Sequence, residues 1–196
     1  LFQVHFNKTT MGKMLQAEVQ VKGIGLHSGV TTTVILCPTT AGQGRRFQRI
    51  DLAEQPIIPA DLTCVREAML STELGDRPAT VRTVEHLLAT LVALGVDDVL
   101  IAIDGPEVPL LDGSAQEWLT AIARVGLVSQ DDADPQPPML ITQPLTCQAG
   151  DAFVAAFPCD YLRFSYGVDY PYAPIGKQWV TWKPEEEDFA TAIAPA

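Results

Sequence analysis

Histidine is scarce in this chain. Its 196 residues hold three, His5, His27 and His86, and no H-E-x-x-H occurs, so spacing alone builds no metal site. Basic residues are also few: 13 Lys and Arg stand against 24 Asp and Glu, a net charge of −11. No Lys/Arg run interleaved with aromatics appears, which removes the phosphate-neutralising surface that nucleic acid requires. The same charge argues against an anionic membrane surface, though a few local groups can still hold one small anionic ligand. The four cysteines, Cys37, Cys64, Cys147 and Cys159, form no C-x-x-C pair and are widely spaced. Buried free thiols in a reducing compartment are expected rather than a disulfide framework. No apolar run approaches the length of a membrane span, and the mixed polar opening from Leu1 to Leu15 lacks the form of a signal peptide. No integral membrane contact is therefore expected.

What is present is ordinary globular composition, 47% hydrophobic and 19% charged, in a chain long enough for one domain and part of another. Ala17 to Lys22 alternates as a half-buried strand does. Thr31 to Cys37 is β-branched and strand-like. Phe47 to Ile50, Ala60 to Val65 and Met69 to Leu74 read as further strands. Thr83 to Leu94 is the clearest helix. Val84, Leu87, Leu88, Leu91 and Val92 share one face, Thr83 is placed to cap the start, and Gly95 to end it. Val99 to Asp104 is an apolar strand. Ser114 and Glu117 have the spacing of a capping box for a helix running through Trp118 and Ile122 to Gly126. Ser129 to Pro138, with three Asp and three Pro, reads as a linker. Strand-like runs follow at 140–142, 153–157, 162–166 and 180–182, and the acidic run at 185–188 opens a short helix. The fold class expected is α+β, with helices packed on one side of a mostly antiparallel sheet. Residues 1–128 form a first domain, 129–138 a linker, and 139–196 an incomplete second domain.

Glu85-His86 sits at the head of the clear helix, off its apolar stripe. Two readings stand: a base beside a metal ligand, or a carboxylate answering the helix dipole beside a satisfied boundary histidine. Gly23 to Gly29 resembles a nucleotide loop at first. It fits neither G-x-G-x-x-G nor a P-loop, and a strand, not a helix, follows it. A tight crossover between strands is favoured there, with His27 still able to touch a ligand. Ser71 has no neighbouring base in the sequence, and Glu107 and Asp112 read as turn chemistry.

Taken in order, these segments carry more. G-I-G-L-H-S-G (Gly23–Gly29), M-L-S-T (Met69–Thr72), T-V-E-H-L (Thr83–Leu87), D-G-P-E-V-P-L-L-D-G-S-A (Asp104–Ala115) and I-A-P-A (Ile193–Ala196) resemble the serial motifs of the UDP-3-O-acyl-N-acetylglucosamine deacetylases. The resemblance runs from about Ala17 to the last residue. It implies two similar domains, each a two-layer sandwich of a sheet with two helices packed on it. It also implies a Zn2+-dependent hydrolysis that releases acetate from the sugar nitrogen of the UDP-sugar, within lipid A synthesis in the cytoplasm. By the same resemblance His86 is a zinc ligand and Glu85 the general base, while Leu26, His27, Met69 and Ser71 lie near substrate. Ser71 stands where some relatives carry Cys. The family's later H-K-x-x-x-D motif, which supplies the other zinc ligands, is not found in these residues. The expectation is an N-terminal fragment without activity of its own. The rivals are a homologue that binds a nucleotide sugar or acyl chain without hydrolysing it, and a structural domain that reuses the fold.

Overall fold

The computed structural model describes residues 12–130 and 140–196. It is an α+β sandwich, as expected. Contacts divide it into two units. The first holds residues 12–130 together with Ile193–Ala196, and the second holds residues 140–192.

The first unit is built on strands β1 (Lys13–Leu15), β2 (Val19–Ile24), β3 (Thr31–Pro38), β4 (Arg45–Arg49), β5 (Ile57–Pro59), β6 (Val65–Arg66), β7 (Glu73–Asp76) and β8 (Ala79–Arg82). Helix α1 (Glu85–Leu94), strand β9 (Val99–Ile103), helix α2 (Gln116–Val125) and strand β10 (Leu127–Ser129) complete it. The main sheet has the order β2-β3-β9-β4-β5, antiparallel except for β4 beside β9. Side chains alternate between faces along a strand, and the register turns that alternation into rows. Val19, Leu36, Ile101, Phe47 and Ile58 are successive partners across all five strands. Leu36, Ile101 and Phe47 are fully buried. Leu87, Leu88 and Leu91 of α1 and Trp118 and Ile122 of α2 join the same core, which is why these helices form and stay. Strands β6, β7 and β8 make a second, antiparallel sheet, whose Leu74 and Val81 also enter that core. Strand β1 pairs with β10.

Several elements differ from the sequence reading, each for a local reason. The strand expected over Ala60–Val65 is a 3-10 turn at Leu62–Cys64, because the Asp61 carboxylate accepts the Thr63 N–H at 2.8 Å. Met69–Thr72 is a turn rather than a strand. Leu70 lies at φ 57°, which no extended strand allows, and β7 begins only at Glu73. Thr83 does not cap α1: it sits at φ 57° and donates its hydroxyl to Glu107. Gly95 does end the helix, left-handed at φ 72°. The capping box at Ser114–Glu117 does not form. Ser114 Oγ donates to Asp112 at 2.8 Å and accepts the Gln116 N–H at 3.1 Å, and Ala115 is the cap residue.

The linker expected over Ser129–Pro138 lies outside the described residues, apart from its first two. Ser129 ends β10, and Gln130 donates its N–H to the Gly12 carbonyl at 2.9 Å.

The second unit has two hairpins, β11 (Leu145–Ala149) with β12 (Ala152–Ala156) and β13 (Phe164–Asp169) with β14 (Lys177–Trp182), followed by α3 (Phe189–Ala192). Residues 140–142 are not a strand, and the helix opens after the acidic run rather than on it. Across the second hairpin Phe164 stacks on Trp182 at 5.7 Å, and Trp179 lies over Gly167, where a Cβ would come within 2.7 Å of the indole. The four cysteines are free, but Cys147 and Cys159 are exposed and Cys37 and Cys64 only half-buried, so the expected burial is not found.

Candidate functional site

Glu85 is the first residue of α1 and His86 the second, both half-buried. The helix start favours the Glu85 carboxylate by its dipole. That carboxylate also accepts the Thr72 N–H at 3.3 Å, so the Met69–Thr72 turn is folded onto the head of α1. The turn is held from its other side by Arg82, whose Nε donates to Ser71 Oγ and whose Nη2 donates to the Met69 carbonyl, both at 2.6 Å. The Ser71 hydroxyl thus accepts from Arg82 and keeps its own O–H as a donor. Met69 and Leu26 are exposed, at 79% and 57%.

Asp112 stands near His86. Its carboxyl is held below the usual aspartate range, first by hydrogen bonds from the N–H and hydroxyl of Ser114 and to a smaller extent by the His86 imidazole.

His27 lies in the turn between β2 and β3, and its loop is organised around a side chain that the sequence reading assigned to turn chemistry. Glu107 is only 1% exposed. Its Oε1 accepts the His27 N–H at 3.0 Å and the Thr83 hydroxyl at 2.7 Å. Its Oε2 accepts the Ser28 N–H at 2.6 Å and the His27 N–H at 3.1 Å. Burial alone would push this carboxyl up. The hydrogen bonds from His27, Thr83 and Ser28 outweigh burial and hold it below the ordinary glutamate value. Gly25 makes room for the carboxylate, since a Cβ there would lie 2.5 Å from Glu107 Oε2. His27 Nε2 is buried and meets no partner among the described residues. A shallow cleft is lined by His27, Ser28, Arg77, Arg82 and Glu107; Glu85 and His86 are not in its walls.

The structure thus brings Glu85, His86 and the Ser71 turn together and joins the His27 loop to them through Glu107 and Thr83. Sequence reasoning missed Arg82, Thr83 and Glu107 as parts of this arrangement. A signal for two of them lies in the motifs themselves, which contain Thr83 and Glu107. The backbone marks the same segments. Of five non-glycine residues with positive φ among the described residues, Leu70, Thr83 and Leu111 fall inside them. Such conformations cost about 1–3 kcal/mol and persist where surrounding structure enforces them.

As to metal, His86 offers one imidazole donor. Among the described residues no group of three or more His, Cys, Asp or Glu is placed to hold an ion. Catalytic zinc takes about three protein ligands, so these residues by themselves do not make its site.

Fold and site together define an α+β protein with a carboxylate–imidazole pair at the head of a helix, braced by two strained turns. The sequence model of the family described as LpxC, UDP-3-O-acyl N-acetylglycosamine deacetylase, matches residues 12–196, and the chain belongs to that family. It is 68% identical over 186 residues to a UDP-3-O-acyl-N-acetylglucosamine deacetylase of Synechocystis sp., covering 95% of this chain and 67% of that protein. To the protein of the same name in Nostoc sp. it is 52% identical over 177 residues, 89% of this chain and 63% of the relative. To a probable, mitochondrial deacetylase of Arabidopsis thaliana it is 40% identical over 193 residues, 92% of this chain and 58% of the relative. The chain spans about two thirds of the length of the curated relatives it matches.

Proposed function

We propose that this chain is the part of a UDP-3-O-acyl-N-acetylglucosamine deacetylase that supplies the general base and one zinc ligand. The observation that carries the reading is the head of α1, where Glu85 and His86 are adjacent and the Thr72 N–H orients the Glu85 carboxylate. Hydrolysis of an acetamide needs a base to take a proton from the attacking water, and Glu85 is that base. His86 is one ligand of Zn2+, with the others contributed by sequence outside these 196 residues. When bound, the ion would polarise the acetyl carbonyl and favour ionisation of water. The His27 loop, with Leu26, Met69 and Ser71 around it, is the substrate-facing wall, and the ligand is the UDP-sugar. Residues 140–192 are the opening of a second domain of similar build. The 196 residues alone are inactive, since a single imidazole does not retain zinc.

Among the described residues no helix is long and apolar enough to cross a membrane. A cytoplasmic setting is part of this reading and rests on the family resemblance; the relatives include a Synechocystis protein at 68% identity and a probable mitochondrial protein of Arabidopsis thaliana at 40%.

The test uses the full-length protein. His86→Ala should lower both zinc content and deacetylation, whereas Glu85→Gln should keep zinc and lose turnover by at least about a hundredfold, the usual contribution of a general base. Unchanged deacetylation in His86→Ala would overturn the zinc assignment.

A further inference from the structure

Glu107 is a buried carboxylate that forms no ion pair among the described residues. Its neighbours include two consecutive amide N–H groups and the Thr83 hydroxyl, drawn from segments 80, 79 and 24 positions away in sequence. A buried charge of this kind is costly unless it is fully hydrogen-bonded. Conversely, an apolar side chain in its place would leave the His27 and Ser28 N–H groups and the Thr83 hydroxyl without an acceptor. The loop closes around the carboxylate: Gly29 donates to the Gly25 carbonyl and Gly25 to the Val30 carbonyl, each at 3.0 Å. Successive N–H groups converging on one anion form a concave cradle, here filled by the protein's own side chain.

The other arm of Glu107 reaches the catalytic helix. Thr83 is β-branched yet held at φ 57°, a conformation such residues rarely adopt. Two bonds hold it there: its N–H donates to the Thr72 carbonyl at 2.9 Å, and its hydroxyl donates to Glu107. Two residues later comes Glu85. Glu107 itself is fixed by backbone pairing on both sides, since Arg82 donates to the Pro106 carbonyl and Val108 to the Arg82 carbonyl, each at 3.0 Å.

We propose that Glu107 is a positioning residue that sets the Leu26–His27 loop against the head of α1. Its Oε2 arm fixes the loop, and its Thr83 arm fixes the strained turn from which Glu85 and His86 project. Its consequence for turnover rests on the deacetylase reading; its consequence for the loop does not.

The experiment compares Glu107→Gln and Thr83→Val in the full-length protein, by amide hydrogen exchange and by deacetylation kinetics. Glutamine keeps the shape but turns one acceptor into a donor facing an N–H. In Glu107→Gln the His27 and Ser28 amides should exchange about tenfold faster or more, the scale set by a hydrogen bond to a charged group. The β9 and α1 amides should stay protected, zinc content should hold, and KM should rise more than kcat falls. Thr83→Val should leave the His27 and Ser28 amides protected and lower kcat with little change in KM. Unchanged exchange at His27 and Ser28 in folded Glu107→Gln would overturn the proposal. If Glu107→Gln does not fold, Thr83→Val decides, and an unaltered kcat there overturns it. A wild-type protein that does not deacetylate removes the proposed function but leaves the exchange comparison decisive.

Discussion

Arg82 and Ser71 are joined by a 2.6 Å hydrogen bond from the guanidinium Nε to the serine hydroxyl. A second 2.6 Å bond, from Nη2 to the Met69 carbonyl, makes the grip two-pointed. The turn so held presents the Thr72 N–H to Glu85. Ser71, which the family resemblance places near substrate, is in the fold also tied to β8 through Arg82.

Arg82→Leu should therefore loosen Met69–Thr72 without unfolding the core. The expected cost is about 1–2 kcal/mol for two lost hydrogen bonds, one of them to a backbone carbonyl. A thermal melt should show a fall of a few degrees, and the Thr72 amide should exchange faster than in the wild type. A variant with unchanged Thr72 exchange would show that the turn holds itself.

Gly25→Ala should destabilise the His27 loop for a steric reason. The added Cβ meets Glu107 Oε2 and Ser28 Oγ, each at 2.5 Å, and neither can retreat without breaking its hydrogen bonds. Overpacking of this kind costs about 1–3 kcal/mol. Urea denaturation measures it, and a loss below about 0.5 kcal/mol would mean that the loop relaxes freely.

Glu107 gives the first unit an acid-sensitive component. Its folded value is depressed, so its contribution is complete above the unfolded glutamate value of about 4.3. That contribution is lost as pH falls through the lower folded value. The stability gap between wild type and Glu107→Gln should narrow between about pH 6 and about pH 3. Denaturation curves at the two pH values check this; a constant gap would mean that the carboxylate is not held by its charge.

Phe47→Ala should be the most damaging of these changes. Phe47 is fully buried in β4, partnered with Ile101 of β9 and Ile58 of β5 at the centre of the five-strand row. Phe→Ala in a packed core costs about 3–5 kcal/mol. Calorimetry should show a large drop in melting temperature; a drop of only one or two degrees would place Phe47 outside the cooperative core.

Elements with a strong period were legible in the sequence. α1 announced itself by Leu87, Leu88 and Leu91, and β3 and β9 by β-branched and apolar runs that the structure buries. Short elements were not. Met69–Thr72 has strand-like composition, but Leu70 turns left-handed where the turn is pinned by Arg82 and Glu85. Thr83 has a capping side chain, yet its hydroxyl is claimed by Glu107; the Ser114 hydroxyl accepts the Gln116 N–H at the start of α2 but donates to Asp112 instead of forming the box with Glu117. Local propensity lost to partners that only folding supplies.

Sequence by itself determined the family, through motifs in a set order, and it placed Glu85 and His86 at a helix head. It also determined the core rows, because alternation and helical period are properties of the chain. Only the tertiary structure decided what Glu107 does. Its donors on His27, Ser28 and Thr83 lie 24 to 80 positions away, and no local pattern records which of them a buried carboxylate will gather. The same is true of the bond that Ser71 accepts from an arginine eleven residues on, brought within reach by the pairing of β7 with β8.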